Sequence, residues 1–164
     1  MSRLLIKVKR RPWDRSQRPE HVAGDDVPAD CLTDLRVRDN ELSLWHIEDD
    51  EKNLNGVVTA LASAVHFPAK IDILLFDTSI IQNLSLKLRS TVGKTPRTDI
   101  NTWHRDLVEL SGKKLVEFAI AVFYGAESRR VPEISILSLL RNSYNAGLLD
   151  KSMLKPSMTE RIRS

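Results

Sequence analysis

The sequence contains a single cysteine, Cys31, and this excludes any disulfide bond within the chain. It also lacks an apolar run approaching the roughly 20 residues that a helix needs to cross a bilayer. No secretory signal is expected at the N-terminus, because the apolar stretch Leu4–Ile6 is too short for one and runs directly into basic residues. These features predict a protein of the reducing cytoplasm that does not enter a membrane.

Signatures of catalysis and cofactor binding are missing as well. Gly93-Lys94-Thr95 resembles the end of a phosphate-binding loop, but Leu88 stands where that loop requires another glycine. His46-Ile47-Glu48 has the spacing of a zinc deaminase motif, yet no Pro-Cys-x-x-Cys segment supplies the remaining metal ligands. We therefore predict no catalytic, cofactor-binding or metal-binding residues. A protein that is not an enzyme is favoured, and an enzyme whose site is assembled from scattered residues is a third option.

Two further groups of polar residues have structural interpretations. The acidic run Glu48–Glu51 precedes a predicted helix, where Asp49 or Asp50 would cap the N-terminus. A Mg²⁺ site in this run is therefore the less favoured interpretation. His104 and Asp106 fall in a segment that we predict to be helical, where positions i and i+2 point about 200° apart. They are not expected to form a catalytic pair.

The order of hydrophobic patterns predicts an α+β fold. Strands are expected at 3–8, in a hairpin that turns at Asp39-Asn40, at 71–76, and near Leu86 and Leu88. We predict a small mixed sheet of about four strands in the N-terminal half, packed with helices, and a helical C-terminal half. Residues 1–164 would form a single domain, with an irregular proline-containing loop at 10–30 and a short helical or frayed tail at 151–164.

Helices are predicted from apolar stripes with helical spacing. One stripe runs from Leu54 to Val65 and should end at Phe67-Pro68, because a residue before proline avoids helical backbone. Others are expected around 100–108, around 115–123 and after Pro132. On this basis Leu61 and Leu74 should both be fully buried.

One candidate binding surface is a face of the predicted hairpin. It would carry Arg36, Arg38, Trp45 and Ile47, opposite the face that carries Leu42 and Leu44. If helices cover only one side of the sheet, this apolar face with its basic rim would meet a protein partner or a second copy of the chain. The alternative interpretation is that the C-terminal helices cover it.

A second candidate surface is the basic N-terminal stretch. It interleaves Trp13 with Lys9, Arg10, Arg11 and Arg15, and an aromatic ring among cations can stack a base and neutralise phosphate. The function predicted from the sequence is therefore a non-catalytic macromolecule-binding protein, such as an accessory subunit or an immunity-type protein. The alternative is a nucleic-acid-binding accessory factor.

Overall fold

The computed structural model describes residues 2–66 and 69–164. The strands of this part of the chain are β1 (Arg3–Val8), β2 (Leu42–Ile47), β3 (Ile71–Asp77), β4 (Lys87–Ser90), β5 (His104–Val108) and β6 (Glu127–Val131). The helices are α1 (Arg10–Trp13), α2 (Ala29–Asp34), α3 (Leu54–Ser63), α4 (Ser79–Asn83), α5 (Gly112–Gly125), α6 (Glu133–Asn145) and α7 (Pro156–Arg163). Single 3₁₀ turns lie at Arg15–Gln17 and Asn101–Trp103.

The strands form one sheet in the order β4-β5-β2-β1-β3-β6. This confirms the α+β prediction. The described sheet has six strands rather than about four, and its pairings are antiparallel, so the prediction of a mixed sheet is wrong. Strands β5 and β6 lie in the half of the chain that was predicted to be helical.

Helices cover both faces of the central strands. Leu4 and Leu74 belong to one core, which includes buried side chains of α2 and α5. Their chain neighbours Leu5 and Leu75 point the other way and belong to a second core with α3, α6 and α7. Because successive strand residues alternate between faces, burial on both sides explains why β3 is apolar at nearly every position.

The predicted hairpin does not form as a pair of strands. Helix α2 occupies the start of that stretch and is followed by Leu35 in extended backbone. The turn itself is present: Asp39 and Asn40 both have positive φ, and Arg38 and Glu41 exchange backbone hydrogen bonds of 3.0 and 2.9 Å. Only this single bridge joins the two arms, and β2 pairs with β1 and β5 instead.

Several predicted boundaries also differ from the structure. Residues 10–30, expected to be irregular, contain α1, a 3₁₀ turn and the first residues of α2. Helix α3 begins after Asn53, whose side chain bonds the main chain at His46 and Glu48, so the acidic run does not cap it. Helix α3 ends at Ser63, earlier than predicted, and the predicted end at Phe67-Pro68 lies outside the described residues. No helix in the described ranges has the length and apolar character needed to cross a membrane.

Candidate functional site

The two central strands of the sheet separate at one end. The ladder between β1 and β2 ends at the pair Leu5–Trp45. Beyond this point β1 remains paired with β3 as far as Val8, and β2 remains paired with β5 as far as Leu42. A gap therefore opens between β1 and β2 inside the sheet, and we call this gap the fork.

Asp34, the last residue of α2, holds the chain where it leaves β1. Its Oδ2 accepts hydrogen bonds from the backbone N of Lys9 at 2.6 Å and from Nε1 of Trp13 at 3.0 Å. The Trp13 ring is buried, and its centroid lies 6.4 Å from that of Phe123 on α5. These contacts hold the end of β1 against α2, so the chain does not continue alongside β2.

The fork contains a pocket of about 230 Å³ whose lining is apolar and basic. The apolar part of the lining comprises Ile6, Val8, Leu42, Trp45 and Leu61. The charged part comprises Lys7, Lys9 and Arg36 against one carboxylate, Asp34, which gives a net charge of +2. Such a lining favours a ligand that has both an apolar part and negative charge.

Lys7 and Arg36 supply positive charge without a carboxylate partner. Burial, followed by the nearby Arg36 guanidinium, lowers the pKa of Lys7 below its ordinary value. Within the described ranges neither side chain takes part in an ion pair. An anion in the fork would therefore relieve a repulsion between two cations rather than compete with an existing ion pair.

An open depression of about 540 Å³ adjoins the fork and shares Arg36 and Ser43 with it. Its polar lining includes Thr91, His104 and Asp106, which are linked by hydrogen bonds. The rest of its lining, on segments beside β2 and after β4, comprises Arg38, Asp39, Glu41, Val92, Gly93 and Lys94. We call the fork and this depression together the basic groove.

The polar network in the groove is fixed by the single hydroxyl proton of Thr91. Thr91 Oγ1 donates to Asp106 Oδ2 at 2.8 Å, so its 2.7 Å contact with Nδ1 of His104 requires that nitrogen to be the donor. Ser43 Oγ donates to the other carboxylate oxygen of Asp106 at 3.1 Å. Ser43 and Thr91 thus both donate to Asp106, so the network satisfies a buried carboxylate.

The prediction that His104 and Asp106 point apart is wrong, because their segment is β5 and not a helix. On a strand, positions i and i+2 lie on the same face. Leu107, Trp103 and Ile100 fit a helical stripe, which concealed the strand in the sequence. The segment His104–Val108 shows no apolar/polar alternation, so the sequence carries no local signal that would have revealed the strand.

The predicted protein-binding face is not open. Trp45 is 5% exposed and Ile47 is fully buried, in the core formed with α3, α6 and α7. The premise of that interface is therefore wrong for these two residues, and the alternative interpretation, coverage by helices, describes them correctly. Arg36 and Arg38 are exposed and line the basic groove.

The aromatic residue of the predicted nucleic-acid surface is buried in the structure. Trp13 is 3% exposed and is held by Asp34, so it cannot stack on a base. Lys9, Arg10, Arg11 and Arg15 are exposed, and Lys9 lines the fork. The structure therefore leaves the cations of this surface accessible and removes the stacking platform.

Two acidic side chains of the sheet and its loops, Asp72 and Glu51, are engaged in ion pairs. Asp72 accepts two hydrogen bonds from Arg130, at 2.7 and 3.0 Å, and Glu51 lies 2.6 Å from Arg3 and 2.7 Å from Arg129. Among residues 2–66 and 69–164 no group of three or more His, Cys, Asp or Glu is placed to hold a metal ion.

The cysteine Cys31 and the glycine of the Gly93-Lys94-Thr95 sequence both have packing roles. Burial, with the charges of Asp34 and Asp30, raises the pKa of Cys31 to about 12, so its thiol remains protonated at neutral pH. At Gly93 a Cβ atom would lie 2.9 Å from the Asn101 side chain and 2.9 Å from the Trp45 ring. Glycine is required there by close packing, not by phosphate.

Comparison with known proteins finds no matching family model, no matching curated protein and no matching solved structure.

The two partly buried histidines predict a loss of stability in mild acid. Burial lowers the pKa of both His46 and His104, whereas their unfolded-state value is about 6.5. Above pH 6.5 the two histidines are neutral in the folded and in the unfolded protein. Below pH 6.5 the histidines of the unfolded chain take up protons first. The free energy of unfolding therefore falls as the pH falls through 6.5 toward the folded pKa values.

Urea unfolding at pH 7 and pH 5 would measure this effect. The double variant His46→Gln/His104→Gln should lose less stability between the two pH values than the wild type, and the exposed-site control His21→Gln should lose as much as the wild type. An equal loss in all three proteins would contradict the prediction.

Proposed function

We propose that this chain is a non-catalytic cytoplasmic binding protein that docks a protein partner on the basic groove, as an accessory subunit or an immunity-type protein would. The observation that supports this proposal is the fork. In the fork a strand ladder ends in the middle of the sheet, so main-chain groups lose their pairing partner on the neighbouring strand. The fork also carries two cations, Lys7 and Arg36, that have no carboxylate partner among the described residues. An acidic segment of a partner would supply both the missing hydrogen bonds and the missing negative charge.

The mixed charge of the groove favours a protein over a nucleic acid. Asp39, Glu41 and Asp106 lie among the basic residues of the lining. A protein surface can place its own donors and cations opposite these carboxylates, whereas a nucleic acid backbone carries only negative charge.

Charge reversal in the groove gives the direct test. The triple variant Arg36→Glu/Arg38→Glu/Lys94→Glu should capture the partner from a lysate of the source cells at least tenfold less than the wild type, since reversed rim charges repel an acidic surface. Capture is measured by quantitative mass spectrometry of nuclease-treated lysate.

A matched control carries the same change of charge at exposed lysines outside the groove, Lys70→Glu/Lys113→Glu/Lys155→Glu. This control should capture the partner as well as the wild type. Equal capture by the groove variant would show that the partner does not bind there.

Binding of nucleic acid is the second candidate, supported by the exposure of Lys9, Arg10, Arg11 and Arg15. If it is correct, captured proteins are lost after nuclease treatment, and affinity for DNA or RNA falls steeply with salt. Replacing Lys9, Arg10 and Arg11 with glutamine should then weaken binding to all sequences alike. No binding at low salt would exclude this candidate.

A further inference from the structure

The fork turns main-chain groups toward its pocket. Residues of a strand direct their N–H and C=O groups alternately to the neighbours on either side. Of the three consecutive residues Ile6–Val8, at least one therefore directs its main chain toward β2, where the ladder has already ended. The same holds for Leu42–Leu44 on the other side of the fork. Main-chain N–H groups pointing into a cavity are ready donors for an oxyanion.

The charge of the lining indicates how much negative charge the ligand carries. Lys7, Lys9 and Arg36 against Asp34 give a net charge of +2. A carboxylate would neutralise half of it, whereas a phosphate monoester carries a charge of about −1.5 to −2 at neutral pH and offers three acceptor oxygens. The planar guanidinium of Arg36 also suits a phosphate group, because it can bond two oxygens at once.

The apolar lining shows that the ligand is more than a bare anion. Leu61 and Trp45 line the pocket beside Ile6 and Val8. Inorganic phosphate would leave the partly exposed Leu61 and the small accessible parts of the other three side chains facing water, whereas an aromatic ring or a short aliphatic chain would cover them. The pocket volume of about 230 Å³ is sufficient for a group of that size.

We propose that the fork binds a phosphate monoester on an apolar body, with the phosphate between Lys7 and Arg36 and the body against Trp45 and Leu61. This inference rests on the proposed binding role, because it names the group that is inserted into the basic groove. A phosphorylated side chain of the partner, such as phosphotyrosine, and a free aryl phosphate share this chemistry.

A ¹H–¹⁵N NMR titration of the full chain tests the site with four probes: phenyl phosphate, benzoate, phenol and inorganic phosphate. Phenyl phosphate should shift amide signals of β1 and β2 around the fork and bind at least tenfold more tightly than each of the other three. Equal affinities for phenyl phosphate and inorganic phosphate would overturn the role of the apolar lining. Equal affinities for phenyl phosphate and benzoate would overturn the preference for a dianion.

Charge variants locate the site. Arg36→Gln and Lys7→Gln should each weaken phenyl phosphate binding about tenfold or more, because each removes a charge-assisted contact. Lys113→Gln, at an exposed lysine outside the groove, should change it less than twofold. Both fork side chains keep contact with solvent, although Lys7 is also partly enclosed by the pocket, so the variants should keep the fold, which the rest of each spectrum verifies. Unchanged affinity in both fork variants would overturn the proposal.

Peptide probes then distinguish the two sources. A phosphotyrosine peptide that binds more tightly than phenyl phosphate, with no binding of its tyrosine counterpart, indicates a partner's side chain; equal or weaker binding indicates a free small molecule. Groove-dependent capture of a partner without phenyl phosphate binding would overturn this inference and leave the docking role intact. Phenyl phosphate binding without groove-dependent capture would remove the docking role and leave a small-molecule site.

Discussion

Phe118→Ala is expected to lower the free energy of unfolding by about 3–5 kcal/mol, the range for removing a fully buried aromatic side chain. Phe118 lies on α5, is fully buried, and meets Phe76 of β3 edge to face, with ring centroids 5.6 Å apart. The substitution would leave a cavity between the helix and the centre of the sheet, in the core on the α2 and α5 side. Urea unfolding followed by circular dichroism measures the change.

A double-mutant cycle separates the ring–ring contact from the loss of volume. With Phe118→Leu, Phe76→Leu and the double variant, we expect a coupling energy of about 0.5–1.5 kcal/mol, as found for edge-to-face pairs. Lys113→Ala on the exposed side of the same helix should stay within about 0.5 kcal/mol of the wild type. A loss below about 1 kcal/mol for Phe118→Ala would mean that α5 does not pack on the sheet as described.

The elements that the sequence predicted well are those with a strong pattern of their own. The nearly continuous apolar run of β3 can be satisfied only by burial on both faces. The stripe from Leu115 to Phe123 has the spacing of a helix with one buried side, and Ser111 caps that helix by accepting from the backbone N of Lys114. In both cases local preference and tertiary packing favour the same structure.

The strands that were missed are defined by their neighbours in space. Strand β6, Glu127–Val131, is largely polar, and it is held at the sheet edge by its ladder to β3 and by the Arg130–Asp72 ion pair. Strand β5 lies between β2 and β4, a placement that depends on residues about 20 to 60 positions away. Local patterns cannot report such pairing, and tertiary context overrides helix propensity in these segments.

The candidate site could not be predicted from the sequence for the same reason. The residues of the fork were recognised one by one: β1 as a strand, Arg36 as a rim residue, and Trp45 as apolar on the face opposite Leu44. At the fork, the hydrogen bond from the backbone N of Lys9 to Asp34 joins two segments 25 positions apart. A buried carboxylate that accepts from a main-chain group and from an indole has no local sequence signature.

Leu74→Ala and Leu61→Ala should differ in cost, although the sequence predicted both leucines to be fully buried. Leu74 is 2% exposed, as predicted, and its loss should cost about 2–5 kcal/mol. Leu61 is only partly buried, because it lines the fork and does not fill a closed core, so that prediction is wrong. Its removal exposes less new apolar surface and should cost less than about 2 kcal/mol.

The pair of variants therefore measures whether the fork is open in solution. Both changes delete the same atoms, so the difference between their unfolding free energies depends on their surroundings. If Leu61→Ala proves as costly as Leu74→Ala, the side chain of Leu61 is enclosed and the fork is closed. In that event the pocket cannot admit a ligand without first opening, and any phenyl phosphate binding would be weakened by the cost of that opening.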